Sequence, residues 1–175
     1  CVDGRGIATV GAGAFPAEAG AGTGSPKVEA VAATASDGRV RFKRLHRPEA
    51  GDVDITRESV LVSVGRGIGD QDNLELIEAL AKALGGAVSS SRPIADAGWL
   101  PRTRQVGKSG LKVKPKVYLA LGISGAPEHL EGMRGAELII AVNSDARAPI
   151  FSVAHYGAVA DLLDVVPALT ARLGG

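Results

Sequence analysis

The chain has 175 residues, 45% of them apolar, which is enough for one sizeable buried core; with only six Phe, Trp or Tyr, that core must be built from Val, Leu, Ile and Ala. A net charge of +1 argues against a dedicated nucleic-acid or membrane-surface protein, and no apolar run approaches the ~20 residues of a membrane-crossing helix. The single cysteine excludes a disulfide within this sequence and points to a reducing compartment.

Residues 1–58 are heterogeneous. Ile7–Val10 is a short apolar run, and the "GAGAFPAEAGAGTGSP" after it is too rich in Gly, Ala and Pro for a regular element. "KVEAVAATASDGRVRFKRL" then reads as two strands joined around Asp37-Gly38. The segment has too few apolar positions for a core of its own. It starts at Cys1 without Met and without the basic-then-apolar pattern of a signal peptide, so a lipid-modified cysteine and an absent upstream part are the two readings.

From Val60 the pattern becomes regular. Val60–Val64, "VLVSV", has the β-branched character of a strand buried on both faces. After "GRGIGD", Asn73–Leu84 places Leu74, Ile77, Leu80, Ala81 and Leu84 on one helical face, with Asp72 as the expected N-cap and Gly85 at the C-terminal end. Ala87–Ser90 is a second strand and Val117–Leu121 a third, followed by "GISG" and a short helix around Glu128–Gly132. Leu138–Val142 is a fourth strand, ending in "NSD". Gly157–Leu173 then shows helical spacing through Val159, Leu162, Leu163, Val166 and Leu169, with Pro167 expected to kink it or to start a new helix.

This order predicts an α/β fold: a Rossmann-like three-layer domain with a parallel sheet and helices on both faces, preceded by an incomplete β-rich N-terminal segment. The expected division is 1–58 and 59–175. In such sheets ligands bind outside the carboxyl edge of the strands. Each of the four loops expected there carries Gly, Arg, Ser or Asn, namely Gly65-Arg66-Gly67, Ser91-Arg92, Gly122-Ile123-Ser124-Gly125 and Asn143-Ser144-Asp145, a combination that favours a nucleotide.

Between the second and third strands, "QVGKSG" at 105–110 borrows the ending of a triphosphate loop, yet the motif fails. Position 102 is Arg where Gly is required, no strand runs directly into it, and the chain continues as "GLKVKPKVYLA" rather than as a helix. Gly65, Gly67 and Gly69 give G-x-G-x-G, which is not the dinucleotide fingerprint either. Six of the fifteen residues from Arg102 to Lys116 are Arg or Lys; with no interleaved aromatics they read as a solvated basic loop.

Taken together, Ser91-Arg92, "DAGW", "QVG.SG", "GISGA..H", "AVN.D..API" and "YG.V.DL..VVP", with the upstream "GRG", resemble the C-terminal FAD domain of the electron transfer flavoprotein alpha subunit over about the last 115 residues. The earlier "GAGAFP" and hairpin segment are similar to the end of that family's first domain, which makes an absent upstream part the preferred reading of Cys1.

The resemblance implies a set of cofactor-binding residues. Arg92 matches the arginine beside the flavin ring, where a permanent planar cation stabilises negative charge on the reduced ring. Ser109 matches a hydroxyl residue, usually Thr, that donates to flavin N5. Gln105, Val106, Gly107 and Lys108 complete the same loop, Lys108 standing where many members carry Gln. His129 matches the histidine that bonds the pyrimidine carbonyl, although Pro127-Glu128 before it departs from the usual Ile-Gln. Gly122, Ile123, Ser124, Gly125 and Ala126 match the turn that approaches the diphosphate at a helix N-terminus. Arg66 and Ser91 match further contacts; Asn143, Asp161 and Leu162 match the adenosine end. His155 stands where members often have Asp, outside the contact set.

The implied function is a FAD-binding electron carrier without substrate turnover of its own. It would pair with an electron transfer flavoprotein beta subunit and pass electrons from flavin dehydrogenases, such as acyl-CoA dehydrogenases, to a quinone oxidoreductase or another redox partner. One Cys and three scattered His give no metal-ligand spacing. The alternatives are a pyridine-nucleotide-binding enzyme domain of transhydrogenase type and an interaction module that has lost its cofactor. Ala-, Gly- and Arg-rich usage points to a bacterial source and hence the cytoplasm, with the mitochondrial matrix as the other location.

Overall fold

The computed structural model describes residues 22, 24, 25, 27, 29, 30, 41–43 and 52–174. The chain divides into two compact units, Cys1–Arg44 and Leu45–Gly175. The expected Ile7–Val10 run lies outside the described residues, as does nearly all of the hairpin. In the first unit the described residues form no regular element, and Phe42 is exposed.

In the second unit, five strands form one parallel sheet: β1 (Val60–Val64), β2 (Ala87–Ser90), β3 (Val117–Leu121), β4 (Leu138–Asn143) and β5 (Tyr156–Val159). Their spatial order is β2-β1-β3-β4-β5. The four expected strands stand where the apolar runs predict, β4 extending one residue further to Asn143.

The helices are α1 (Leu74–Ala83), α2 (Arg92–Asp96), α3 (Pro127–Met133) and α4 (Leu162–Leu173). Alternation along the strands sends successive side chains to opposite faces, and two cores result. Leu61, Tyr118 and Ile139 pack with Leu130 and Met133 of α3. Val62, Val64, Leu119 and Val142 pack with Leu74, Ile77 and Leu80 of α1 and with Leu162 and Val166 of α4. Fully burying each such side chain contributes roughly 1.5–3 kcal/mol. Ile55, fully buried, belongs to the α3-side core.

Two expectations need correction, and the one for Pro167 loses its new-helix alternative. The helix read over Gly157–Leu173 is a strand followed by a helix: Tyr156–Val159 pairs in register with Ile140–Asn143, and Asp161 then starts α4 by accepting from Leu163 N. α4 runs through Pro167 without a restart. Proline removes only the bond to the carbonyl of Leu163, a residue exposed enough for water to replace it. At the start of α1, Asp70 rather than Asp72 is the capping carboxylate, bonding Asp72 N at the head of a 3-10 turn over Gln71–Asn73. Gly85 follows α1 at φ 64°, as expected of a helix-ending glycine.

Candidate functional site

The strand order changes direction between β1 and β3, and loops leaving neighbouring strands there part to leave a crevice. A cleft of about 690 Å³ occupies that position, within the range of small-molecule and cofactor sites. All four expected edge loops contribute to it: Arg66 and Gly67, Ser91 and Arg92, Gly122–Gly125, and Asn143.

The two central loops touch backbone to backbone. Gly67 N donates to Gly122 O at 3.0 Å, and a Cβ on Gly67 would stand 2.7 Å from Gly122 Cα. Gly122 adopts φ 62°, and a Cβ there would meet Leu162 at 2.7 Å. Glycine at both positions is therefore what brings the β1 and β3 loops together under the cleft.

Beyond Gly122, none of the described residues accepts a hydrogen bond from the backbone N–H groups of Ile123, Ser124, Gly125 or Ala126. Four consecutive free donors at one wall suit an acceptor-rich ligand such as a diphosphate. α3 itself is only seven residues long and starts at Pro127, so these amides, rather than a long helix dipole, are the anion-facing feature. Asn143 braces the turn, its Nδ2 donating to Ile123 O at 2.9 Å.

The opposite wall is the 105–111 segment. Val106 N bonds Ser90 O at the end of β2, Lys108 N bonds Glu128 O, and Val113 N bonds Gly132 O, so the segment is held between the sheet edge and α3. Gln105 is buried and its Nε2 donates to Ser109 Oγ at 2.9 Å. A hydroxyl that accepts this bond keeps its own hydrogen for a ligand. Arg92 lines the cleft while its Nε donates to Asp96 at 3.0 Å, and Arg102 shares that carboxylate at 3.4 Å. Lys108 lies on the rim. The carboxyl of Glu131 on α3 is held below the usual range by the hydrogen bond from Lys112, with the charge of Lys108 adding to it.

His129 is 6% exposed and lines the cleft, with its Nε2 2.9 Å from the Tyr118 hydroxyl and its Nδ1 without a hydrogen-bond partner. Burial pulls its imidazole down to about 4, the Val106 backbone acting in the other direction. The ring is therefore neutral at pH 7. Three cations, Arg66, Arg92 and Lys108, face one carboxylate, Glu128, around the cleft.

Fifteen of the seventeen residues expected from the sequence line this one cleft. Asp161 and Leu162 do not. Asp161 caps α4, and Leu162 is buried beneath Gly122. Gly67, Pro93 and Glu128 line the cleft without having been singled out; Gly67 sits inside the quoted "GRG", while nothing in the sequence marks Pro93 or Glu128 as cleft residues. His155 accepts from Ile139 N at 2.9 Å through its Nδ1, securing the start of β4 away from the lining. Among the described residues there is no cluster suited to a metal and no helix long and apolar enough to cross a membrane.

Residues 54–134 match the family described as the electron transfer flavoprotein FAD-binding domain. The electron transfer flavoprotein subunit alpha of Methylophilus methylotrophus is 47% identical over 154 residues, 87% of this chain and 48% of the relative. The subunit alpha of Pseudomonas aeruginosa is 44% identical over 163 residues, 93% of this chain and 52% of the relative. Protein FixB of Azotobacter vinelandii is 54% identical over 119 residues, 66% of this chain and 33% of the relative. The chain thus spans about half the length, or less, of these curated relatives.

Proposed function

The chain belongs to the electron transfer flavoprotein alpha-subunit family, and on that premise we propose that it is a FAD-dependent electron carrier whose cofactor lies in the cleft between the β1 and β3 loops. The observation that carries this reading is the coincidence of the family's FAD-binding segment with a cleft at the sheet's switch point, walled by free backbone donors and a net positive rim. The pyridine-nucleotide alternative is not favoured, because the matched family binds FAD.

The residues fit that cofactor. The amides of Ile123–Ala126 would hold the diphosphate, with Asn143 fixing the turn and offering its side chain toward the adenosine end. Ser109, oriented by Gln105, would donate to the ring nitrogen N5, and His129 would bond the pyrimidine edge. Arg92 would stand near the ring as a fixed cation, and Arg66 and Ser91 would complete the lining. When bound, FAD supplies the electron-carrying chemistry. The chain supplies orientation, hydrogen-bond donors and positive charge, which favour accepting electrons. Asp161 and Leu162 would act from the base of the adenosine side, through the α4 start and the support of Gly122.

In this reading residues 1–58 are the end of the family's first domain and residues 59–175 the FAD domain. A beta subunit completes the site. Flavin dehydrogenases, such as acyl-CoA dehydrogenases, deliver electrons, and a quinone oxidoreductase or another redox protein takes them on. No group suited to substrate turnover is needed for that task. The test is the visible spectrum of the purified chain after FAD is supplied together with a beta subunit. Stoichiometric flavin absorbance retained through gel filtration is expected; flavin that elutes free would refute the reading.

A further inference from the structure

Next to the 105–111 wall of the cleft lies an ion pair that the proposed function does not use. On one oxygen the Asp52 carboxylate takes Arg104 Nε at 2.8 Å and Arg104 Nη2 at 2.7 Å, and on the other it accepts from the Thr103 hydroxyl. Val53 N donates to the first oxygen at 2.9 Å. The Asp52 and Arg104 side chains are 20% and 21% exposed. In every other ion pair among the described residues both side chains are at least 42% exposed, and such surface pairs hold little. Burial works to raise the Asp52 carboxyl, but the hydrogen bonds from Thr103 and Arg104 and the Arg104 charge hold it below the usual range. This latch is therefore charged at neutral pH.

Its place along the chain gives it leverage. Thr103 and Arg104 belong to the 3-10 turn Arg102–Arg104, whose own backbone bonds are local: Arg104 N to Pro101 O and Gln105 N to Arg102 O. The next residue, Gln105, is buried; its side chain donates to Ser109 Oγ, and its carbonyl accepts from Leu111 N at 2.8 Å. Gly110 is pressed against that carbonyl, since a Cβ there would stand 2.3 Å from Gln105 O. Ser109 itself is exposed, and besides the cleft it lines a second cavity of about 460 Å³, shared with Asp52, Val53, Thr103 and Gly110. A side chain bordered by two voids takes its position from its tethers rather than from packing. For Ser109 the tether is Gln105. The bond from Val106 N to Ser90 O fixes the downstream side of Gln105, and the latch fixes the upstream side.

We propose that Asp52, through Thr103 and Arg104, is a positioning residue for the flavin: the latch fixes the turn ahead of Gln105, Gln105 holds the Ser109 hydroxyl, and the hydroxyl is thereby kept on its ligand. That the ligand is FAD rests on the proposed function. The relay from Asp52 to Ser109 is a property of the protein alone.

Without FAD, the relay is read at Gln105. The sequence holds two glutamines, Gln71 and Gln105, so nitrogen-15 labelling of glutamine side chains gives two amide signals, and Gln71→Ala assigns them. The buried, bonded Gln105 amide should exchange its hydrogens slowly. Thr103→Val removes one arm of the latch without a change of charge and should speed that exchange several-fold. Asp52→Ala should speed it more, and Thr103→Ser, which keeps the hydroxyl, should restore the wild-type rate. Should Asp52→Ala fail to fold, Thr103→Val carries the comparison by itself. Exchange that Thr103→Val leaves unchanged overturns the proposal.

With FAD and a beta subunit added, the readout is the flavin potential. Thr103→Val should shift it in the same direction as Ser109→Ala and by part of the same amount. That shift should vanish when Thr103→Val is placed in the Ser109→Ala background, as residues acting in series require. Asp52→Ala also removes a charge, and its remaining shift in that background measures the charge alone. A Thr103→Val shift of equal size in both backgrounds, or no shift where Ser109→Ala gives one, overturns the proposal. So does a Ser109→Ala variant of unchanged potential. All three leave the electron-carrier reading standing. Failure to retain flavin refutes that reading, while the glutamine spectra still decide whether the latch governs Gln105.

Discussion

Arg92 is both a cleft residue and one partner of a shared ion pair, and that decides what its removal does. Asp96 holds the Arg92 Nε and also contacts Arg102. Truncating Arg92 removes one positive charge and leaves the Asp96 carboxylate with Arg102 as its remaining partner, so the cleft becomes more negative by one charge. Arg92→Ala should therefore lower the flavin reduction potential by tens of millivolts, since ~59 mV corresponds to a tenfold change for one electron. Potentiometric titration of the loaded protein checks this, and an unchanged potential would remove Arg92 from the role proposed. Lys108 lines the same cleft, is exposed, and its charge also acts on the Glu131 carboxyl. Lys108→Gln should lower the potential in the same direction, and because the side chain is exposed the effect should shrink in high salt. Both residues were legible as candidates in the sequence. The neighbouring carboxylates that share their fields were not, because Asp96, paired with Arg92, and Glu131, paired with Lys112, come into place only through helices α2 and α3.

Two short elements carry most of what the sequence concealed. β5 reads "YGAV" and is exposed along its whole length, so it shows neither the apolar run of a buried strand nor an alternation. The helical spacing that begins at Val159 therefore ran across it. α2, five residues with Pro93 near its start, is too short to show a period. By contrast β1, β3 and β4 were legible because strands buried on both faces are written mainly in Val, Ile, Leu and Ala, while β2, Ala-Val-Ser-Ser, gave a weaker signal. Asp161 shows how a local role and a ligand role can share one residue. As the cap of α4, its loss in Asp161→Ala should cost about 1 kcal/mol, read as a lower urea midpoint. If it also serves the adenosine end, FAD affinity should fall more than that loss explains. Gly122, just after β3, lies against the same start of α4 through Leu162. Gly122→Ala forces a side chain into φ 62° and against Leu162, where the added Cβ would stand at 2.7 Å. Destabilisation of roughly 2–4 kcal/mol is expected, measured by urea unfolding, together with loss of flavin binding, since the two central loops must separate.

At the scale of the whole molecule, the position of the cleft was predictable from topology, and fifteen expected residues converge there from all four edge loops of the sheet. What could not be read was the network below it, because Ser63, Tyr118 and His129 are distant in sequence and meet only once the sheet has formed. That network has a consequence for stability. Burial pulls His129 from an ordinary 6.5 to about 4. Between those values the unfolded chain binds a proton that the folded chain refuses, so stability rises with pH across the window. The contribution is full above about 6.5 and is lost progressively as pH falls toward 4. Its ceiling is roughly 3 kcal/mol, at 1.36 kcal/mol per pKa unit. Carboxylates also titrate near the lower end, so the measurement must be a difference. Urea unfolding of the protein without FAD, followed from pH 7.5 to about 4.5, should show the folded state weakening in the wild type more steeply than in His129→Gln. The two curves should converge in slope above pH 7, where the imidazole is neutral in both the folded and the unfolded state. Parallel slopes throughout would mean that His129 takes up its proton without unfolding the chain, and that the buried neutral ring is not what the folded state selects.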